Sequence, residues 1–220
     1  NGSGKSVSLG DYYGMKESFV KNGTLATTKT KWTTRKEEDN PAMAYVHNLG
    51  SVSNSGKEGF MMLGYDDIEY MYEKLMGYWK HDGKVTIFDA FEKLRDNYQA
   101  IMERCRAFDE LIYDDAEKAG GKKYAEICSA SYRQVISAHK LFTDKEGNLL
   151  WFSKENNSNG CVNTVDLTYP SAPLFLVYNP ELQKAMMTSI FEYSASGRWN
   201  KPFPAHDLGT YPIANGQVYG

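Results

Sequence analysis

The chain has 220 residues, 41% of them hydrophobic and 24% charged, with a net charge of -3; this is the make-up of a globular protein with enough chain for one large core or two modest ones. A slightly acidic chain lacks the basic stripe that phosphates require, so no nucleic-acid partner is expected. No apolar window reaches the length of a membrane span, the opening NGSGKSVSLGDYYG is no signal peptide, and 3 cysteines are too few and too odd in number for a disulfide framework.

Residues 1–64 mix β-branched and aromatic residues with Gly, Ser, Asn and Thr, a texture of short strands and turns. Strands are predicted at Phe19-Val20, 25–34, 43–46 and 59–63, with the turn-rich HNLGSVSNSGKEG before the last. So few strands cannot close a sandwich, and the expectation is that they end a β domain that began earlier. From Tyr65 the pattern becomes helical, with Asp66 and Asp67 near a start and Ile68, Met71, Tyr72 and Leu75 in step. Gly77 and Gly83 make 76–86 the best boundary candidate.

The longest periodic segment, 86–119, repeats apolar residues at steps of three and four from Ile87 to Ile112 and predicts one helix, begun by a Thr86/Asp89 cap and stopped by Gly120-Gly121. A second helix over 122–140 completes an αα-hairpin. Cys105 and Cys128 fall on the apolar faces and read as buried thiols, and His139 reads as a complement to the helix's C-terminal dipole. DKEGN then turns between LFT and LLWFSKE, a β-hairpin. Pro170 and Pro173 argue against a regular helix before LFLVY, whereas Asn179-Pro180 is a strong helix start, with Gly197 as its end.

Between the hairpin and Pro170 lies SKENNSNGCVNTVD, with 4 Asn and 2 carboxylates in fourteen positions. This is more polarity than a turn needs, and its companion is PAHDLGTYPIANGQVYG at 204–220. Glu155, next to an aromatic run, is either a general acid or base or an exposed Glu paired with Lys154. Asp166, between Val165 and Leu167, is expected to be buried and then either hydrogen-bonded or functional. His206 and Asp207 are the sharpest dyad, although neighbours in an extended segment point opposite ways and are expected not to serve one another; His206 reads equally as a satisfied loop histidine. Tyr211 and Asn215 could line the same cleft, and Asn159 and Asn163 suit recognition of amides or hydroxyls as well as left-handed turns. Cys161 would need a nearby His to act as a nucleophile. The sequence carries no nucleophile elbow, phosphate-binding glycine loop, zinc spacing or dinucleotide fingerprint, so neither cofactor nor metal is expected.

AMAYVHNLGSVS, GFMMLGYDDIEY, GYWK, CVNTVDLTYPSAPLFLVYNPELQKAM and EYSASGRWNKPFPAHDLGTYPIANG, in that order, resemble the glutaminase A family of fungal secreted glutaminases and their bacterial, often Bacteroidetes, homologues. The resemblance runs from about residue 40 to 220 and implies a mainly α fold with a β portion: αα-hairpins of a partial (α/α)6 toroid, preceded by the last strands of a β-sandwich. It implies that 1–75 ends the β domain and carries a linker helix, that 76–220 opens a six-helical-hairpin domain, that the parent chain continues on both sides, and that this stretch is inactive alone. It implies a secreted or periplasmic hydrolase converting glutamine to glutamate and ammonia. It transfers no catalytic assignment, so Glu155, Asp166, His206 and Asp207 stand on chemistry alone. The alternatives are a glycoside hydrolase on the same toroid, acting through two carboxylates on a sugar, and a non-catalytic carbohydrate- or protein-binding module.

Overall fold

The computed structural model describes residues 5–25, 40–66, 75–155 and 157–218. The chain is mainly α with a β portion and divides into two compact units, Asn1–Leu63 and Gly64–Gly220.

In the first unit β1 (Lys5–Asp11) pairs antiparallel with β2 (Pro41–His47), from Lys5 opposite His47 to Asp11 opposite Pro41. The strand predicted at 43–46 is β2. Phe19-Val20, predicted as a strand, lies instead in helix α1 (Tyr12–Asn22). Its ends decide this. The Asp11 side chain accepts from the Gly14 N–H at 2.9 Å, and Gly23, at φ 67°, sends its N–H to Phe19 O; caps at both ends outweigh the weak β preference of two residues. The segment 59–63 is irregular rather than a strand, and 26–34 of the segment predicted at 25–34 lies outside the described residues. So does most of the helix predicted after Tyr65, at 67–74.

Among the described residues the first helical element of the second unit is a 3-10 turn at Tyr78–Lys80, next to Gly77, which bridges to Phe142 of the first hairpin strand. The single helix predicted over 86–119 is two, α2 (Ile87–Asp96) and α3 (Tyr98–Gly120). Thr86 and Asp89 form the predicted capping box. The break is at Asn97, whose side-chain and backbone N–H groups both return to Lys93 O, at 2.8 and 3.1 Å, closing α2 before Asn97 O starts α3. A side chain that can imitate the backbone interrupts a helix without disturbing its apolar period. Gly121, at φ 80°, joins α3 to α4 (Lys122–Ser137), giving the predicted αα-hairpin. Cys105 is exposed and Cys128 only partly buried, contrary to expectation.

Helix α4 stops short of His139, which opens β3 (His139–Thr143); β3 pairs with β4 (Leu149–Ser153) around the predicted Asp144–Asn148 turn, where the Asp144 carboxylate accepts from the N–H groups of Glu146 and Asn148. Strand β4 explains its unbroken apolar run. Leu150 and Phe152 enter one core with Phe142, Val162, Ile190 and Leu208, while Trp151 enters a second with Phe175, Ala185 and Met186. Alternation along a strand thus serves two cores at once.

Both prolines sit inside α5 (Val165–Tyr178), against the expectation. They are tolerated because of where the lost hydrogen bonds fall. Pro170 and Pro173 leave unbonded the carbonyls of Asp166 and Tyr169 four residues back. All four residues lie on the exposed face, where water can satisfy them, while Ser171 and Phe175 hold the buried face. Helix α6 (Pro180–Ala195) starts as predicted, with the Asn179 side chain accepting from Leu182 N–H, and buries Met186, Ser189, Ile190 and Tyr193. Among the described residues no helix is long and apolar enough to cross a membrane.

Candidate functional site

Two segments far apart in sequence, 160–165 and 206–211, zip together as an antiparallel clasp. Val162 N–H donates to Gly209 O, Leu208 N–H to Val162 O, Val165 N–H to His206 O and Tyr211 N–H to Gly160 O, each at 2.9 Å. Glycine is needed where the clasp is tightest. Gly209 has φ +95°, and a Cβ there would lie 2.3 Å from Gly216 O; the Gly216 N–H returns to Leu208 O at 2.8 Å. The polar loop and the HDLG segment, paired on sequence grounds as walls of one cleft, are therefore direct backbone partners.

Asn163 pins the clasp to the core. It is fully buried at φ 51°. Its Oδ1 accepts from Ser153 N–H at 2.8 Å, and its Nδ2 donates to Ser189 Oγ at 2.7 Å and to Met186 O at 3.3 Å. With its amide spent on β4 and α6, Asn163 has nothing left for a ligand, so the substrate-binding role expected for it gives way to a structural one. Asn159 turns the loop, its Oδ1 accepting from Cys161 N–H at 2.8 Å. Tyr211 lies under two ammonium groups, Lys154 Nζ at 4.1 Å and Lys140 Nζ at 5.2 Å from its ring centre. Asn215 is exposed, and its carbonyl accepts from the Arg198 guanidinium.

The clasp assembles one charged group. His206 Nδ1 lies 3.0 Å from Asp207 Oδ2, and its Nε2 lies 3.4 Å from Asp166 Oδ1. Two expectations fail here. Neighbouring side chains in an extended segment should diverge, yet His206 and Asp207 meet, because the clasp ends its regular pairing at His206 and the imidazole folds back. Asp166 is not buried: its side chain is 73% exposed in the first turn of α5. Asp207 is the buried carboxylate, with no exposed surface, and it accepts from Gly209 N–H at 2.8 Å and Val218 N–H at 3.4 Å besides His206. The hydrogen bond that His206 donates to Asp207 raises the His206 pKa above its usual 6.5, against a smaller opposing effect of burial, and the charges of Asp166, Asp207 and Glu155 add to it. Burial, with the charges of Asp207 and Glu155 and a hydrogen bond to Asp207, pushes the Cys161 thiol up to about 11. Cys161 therefore stays a thiol at neutral pH and is a poor nucleophile.

Glu155 is partly buried and is not paired with Lys154, whose ammonium sits on Tyr211. It is held from two sides, by the Thr164 hydroxyl on Oε1 at 2.8 Å and the Ser158 hydroxyl on Oε2. Glu155 also lines a cleft of about 500 Å³, together with Val135, His139, Ser153, Leu167 and Ser171. Thr164 and His139 escape a reading of motifs. Thr164 could have been noticed as the fully buried hydroxyl between Asn163 and Val165, and His139 from the hairpin register that places it opposite Ser153, two residues before Glu155. Among the described residues no group of three or more His, Cys, Asp or Glu is placed to hold a metal ion.

Residues 121–220 match the Glutaminase A six helical-hairpin domain, and residues 1–115 match a domain of unknown function, DUF5127. The glutaminase A of Aspergillus oryzae is 32% identical over 225 aligned residues, covering 99% of this chain and 32% of that protein. A probable glutaminase of Arthroderma benhamiae is 34% identical over 97 residues, 44% of this chain and 11% of that protein. The chain thus spans about a third or less of the curated relatives it matches. No solved structure matches it.

Proposed function

The chain belongs to the glutaminase A family, and we propose that it supplies part of the catalytic region of an amidohydrolase that converts glutamine to glutamate and ammonia. The observation that carries this reading is the imidazole of His206 held between a buried carboxylate, Asp207, and an exposed one, Asp166, with Glu155 close enough for its charge to act on the ring. Amide hydrolysis needs a proton for a poor leaving group and a base for water. His206, biased toward its charged form, gives its Nε2 proton to the departing nitrogen once substrate displaces the loose contact with Asp166. Glu155 takes a proton from the attacking water as the C–O bond forms and the C–N bond breaks. The acidic proton of the new carboxyl group recharges His206, and Glu155 releases its proton to ammonia.

Asp207 is a positioning residue in this scheme and not the base: wholly buried, it reaches no solvent water, and its oxygens orient His206 and the clasp. Both relatives carry glutaminase names, which favours the amidohydrolase over the glycosidase alternative. With this reading go, as further proposals from the resemblance of the motifs, a secreted or periplasmic location, a toroid of helical hairpins and a β-sandwich that residues 1–75 end.

The test is ammonia release from L-glutamine, beside reducing-sugar release from a glycan panel, by the full-length protein. Substituting His206→Gln or Glu155→Gln is expected to lower kcat/KM for glutamine by about 10²- to 10⁴-fold, and Asp207→Asn to shift the pH profile as well. Sugar release without ammonia, or undiminished ammonia release by both variants, overturns the reading.

A further inference from the structure

His139 opens β3 at the turn from α4, and its ring is held by two aromatic rings and a backbone carbonyl. It stacks on Trp151 with centres 5.0 Å apart and planes 18° apart, and meets Phe175 edge-on at 5.7 Å. Its Nδ1 lies 2.6 Å from the Val135 carbonyl, which can only accept, so Nδ1 carries the proton. The neutral ring then has its lone pair on Nε2. Burial lowers the His139 pKa below 6.5, against the smaller raising effect of the Val135 bond, which keeps that lone pair unprotonated at neutral pH. Nε2 is buried and, among the described residues, has no hydrogen-bond partner.

A buried acceptor calls for a donor, and this one belongs to a residue on the wall of the cleft that Glu155 also lines. The rest of the lining is mixed: Val135, Ala138 and Leu167 are apolar, Ser153 and Ser171 polar. An unprotonated imidazole nitrogen is satisfied by an N–H or O–H donor, from water or from a ligand that displaces it. Between stacked aromatic rings a neutral donor is preferred over an ammonium, whose desolvation would have to be compensated. A carboxylate would set lone pair against lone pair.

We infer that the cleft beside Glu155 receives the primary carboxamide end of the substrate, and that His139 Nε2 accepts one of its N–H groups. The choice of carboxamide rests on the glutaminase reading; the acceptor and its fixed tautomer do not. The arrangement places the scissile amide next to the carboxylate that activates water. It also discriminates product from substrate, because hydrolysis replaces the donor by an oxygen that His139 cannot bind. His139 is in this sense a binding and specificity residue.

The experiment compares L-glutamine with L-glutamate γ-methyl ester, which has nearly the same shape but no N–H at the reacting end. In the full-length protein His139→Phe keeps an aromatic ring against Trp151 and removes the acceptor. It is expected to lower kcat/KM for glutamine about tenfold or more, with much less change for the ester. An equal fall for both substrates would mean that His139 is only structural, and no fall for glutamine would remove it from the site; either result overturns the inference. Should the variant fail to fold, long-range 1H–15N spectra of the wild-type protein give the answer. The Nε2 resonance is expected to move upfield on adding glutamine or propionamide and to stay in place on adding the ester. An Nε2 signal unmoved by both amides overturns the inference. If the wild type hydrolyses neither substrate the glutaminase reading falls, while the propionamide titration still decides whether the cleft takes an amide.

Discussion

The second unit contains two regions, each with apolar residues in a regular pattern, that meet opposite fates. In α2 no residue is buried and in α3 only Ile112 and Ala116 are, while Phe88, Leu94, Tyr98 and Leu111 stand 73%, 40%, 52% and 48% exposed. Around β4, the clasp and α6, by contrast, even polar groups lie inside: Asn163, Thr164 and Asp207 have no exposed surface. A periodic stripe gives a helix a face to bury, but burial needs a partner surface at that face. The clasp supplies one for β4 and α6, because its backbone groups are paired between its own two segments and can be enclosed without penalty. Depth of burial then lets the clasp hold Asp207, and through it His206, in one geometry.

The difference can be broken most forcefully at the clasp. Gly209→Ala puts a Cβ against Gly216 O at a φ unsuited to alanine and is expected to cost about 3 kcal/mol or more. Asn163→Ala, which orphans Ser153 and Ser189 and removes the left-handed-tolerant side chain, should cost about 2–4 kcal/mol. Chemical denaturation followed by far-UV circular dichroism checks both; midpoints unchanged from wild type would mean that the clasp does not organise the fold.

A subtler effect separates the two histidines. His206 has a folded-state pKa above 6.5, so the folded protein holds more protons than the unfolded chain just above that pH. Its stabilising contribution is full below 6.5 and is lost as pH rises through the folded value. His139 has the opposite sign: its folded pKa lies below 6.5, and stability falls as pH drops from 6.5 through the folded value. Denaturation midpoints measured across this range should change slope in opposite directions in His206→Gln and His139→Phe. Slopes that move the same way would refute the environments described for them.

The smallest effect is expected on α2. Phe88→Ala removes a ring already in solvent and should change stability by no more than about 0.5 kcal/mol. A loss above about 2 kcal/mol in the full-length protein would show that the α2 face is covered there, and would erase the contrast between the regions.

Local features were legible in the order of the amino acids. The Thr86/Asp89 capping box, the Gly121 break between α3 and α4, the Asp144–Asn148 turn and the Asn179-Pro180 start are each set by a few adjacent residues whose chemistry acts on their own backbone. The motifs CVNTVD and HDLGTYP likewise pointed to the family, and they lie in the two segments that pair backbone to backbone. Only the tertiary structure decided how the groups in those segments are used. Asp166, expected inside, came to the surface and Asp207 was buried, His206 turned onto its own neighbour, Asn163 became a fastening and His139 entered the cleft wall. Each of these depends on which surface arrives from elsewhere in the chain, and one-dimensional spacing carries no information about that arrival. The prolines of α5 make the same point: residue type forbids a hydrogen bond, but tertiary placement decides whether its loss falls in the core or in water.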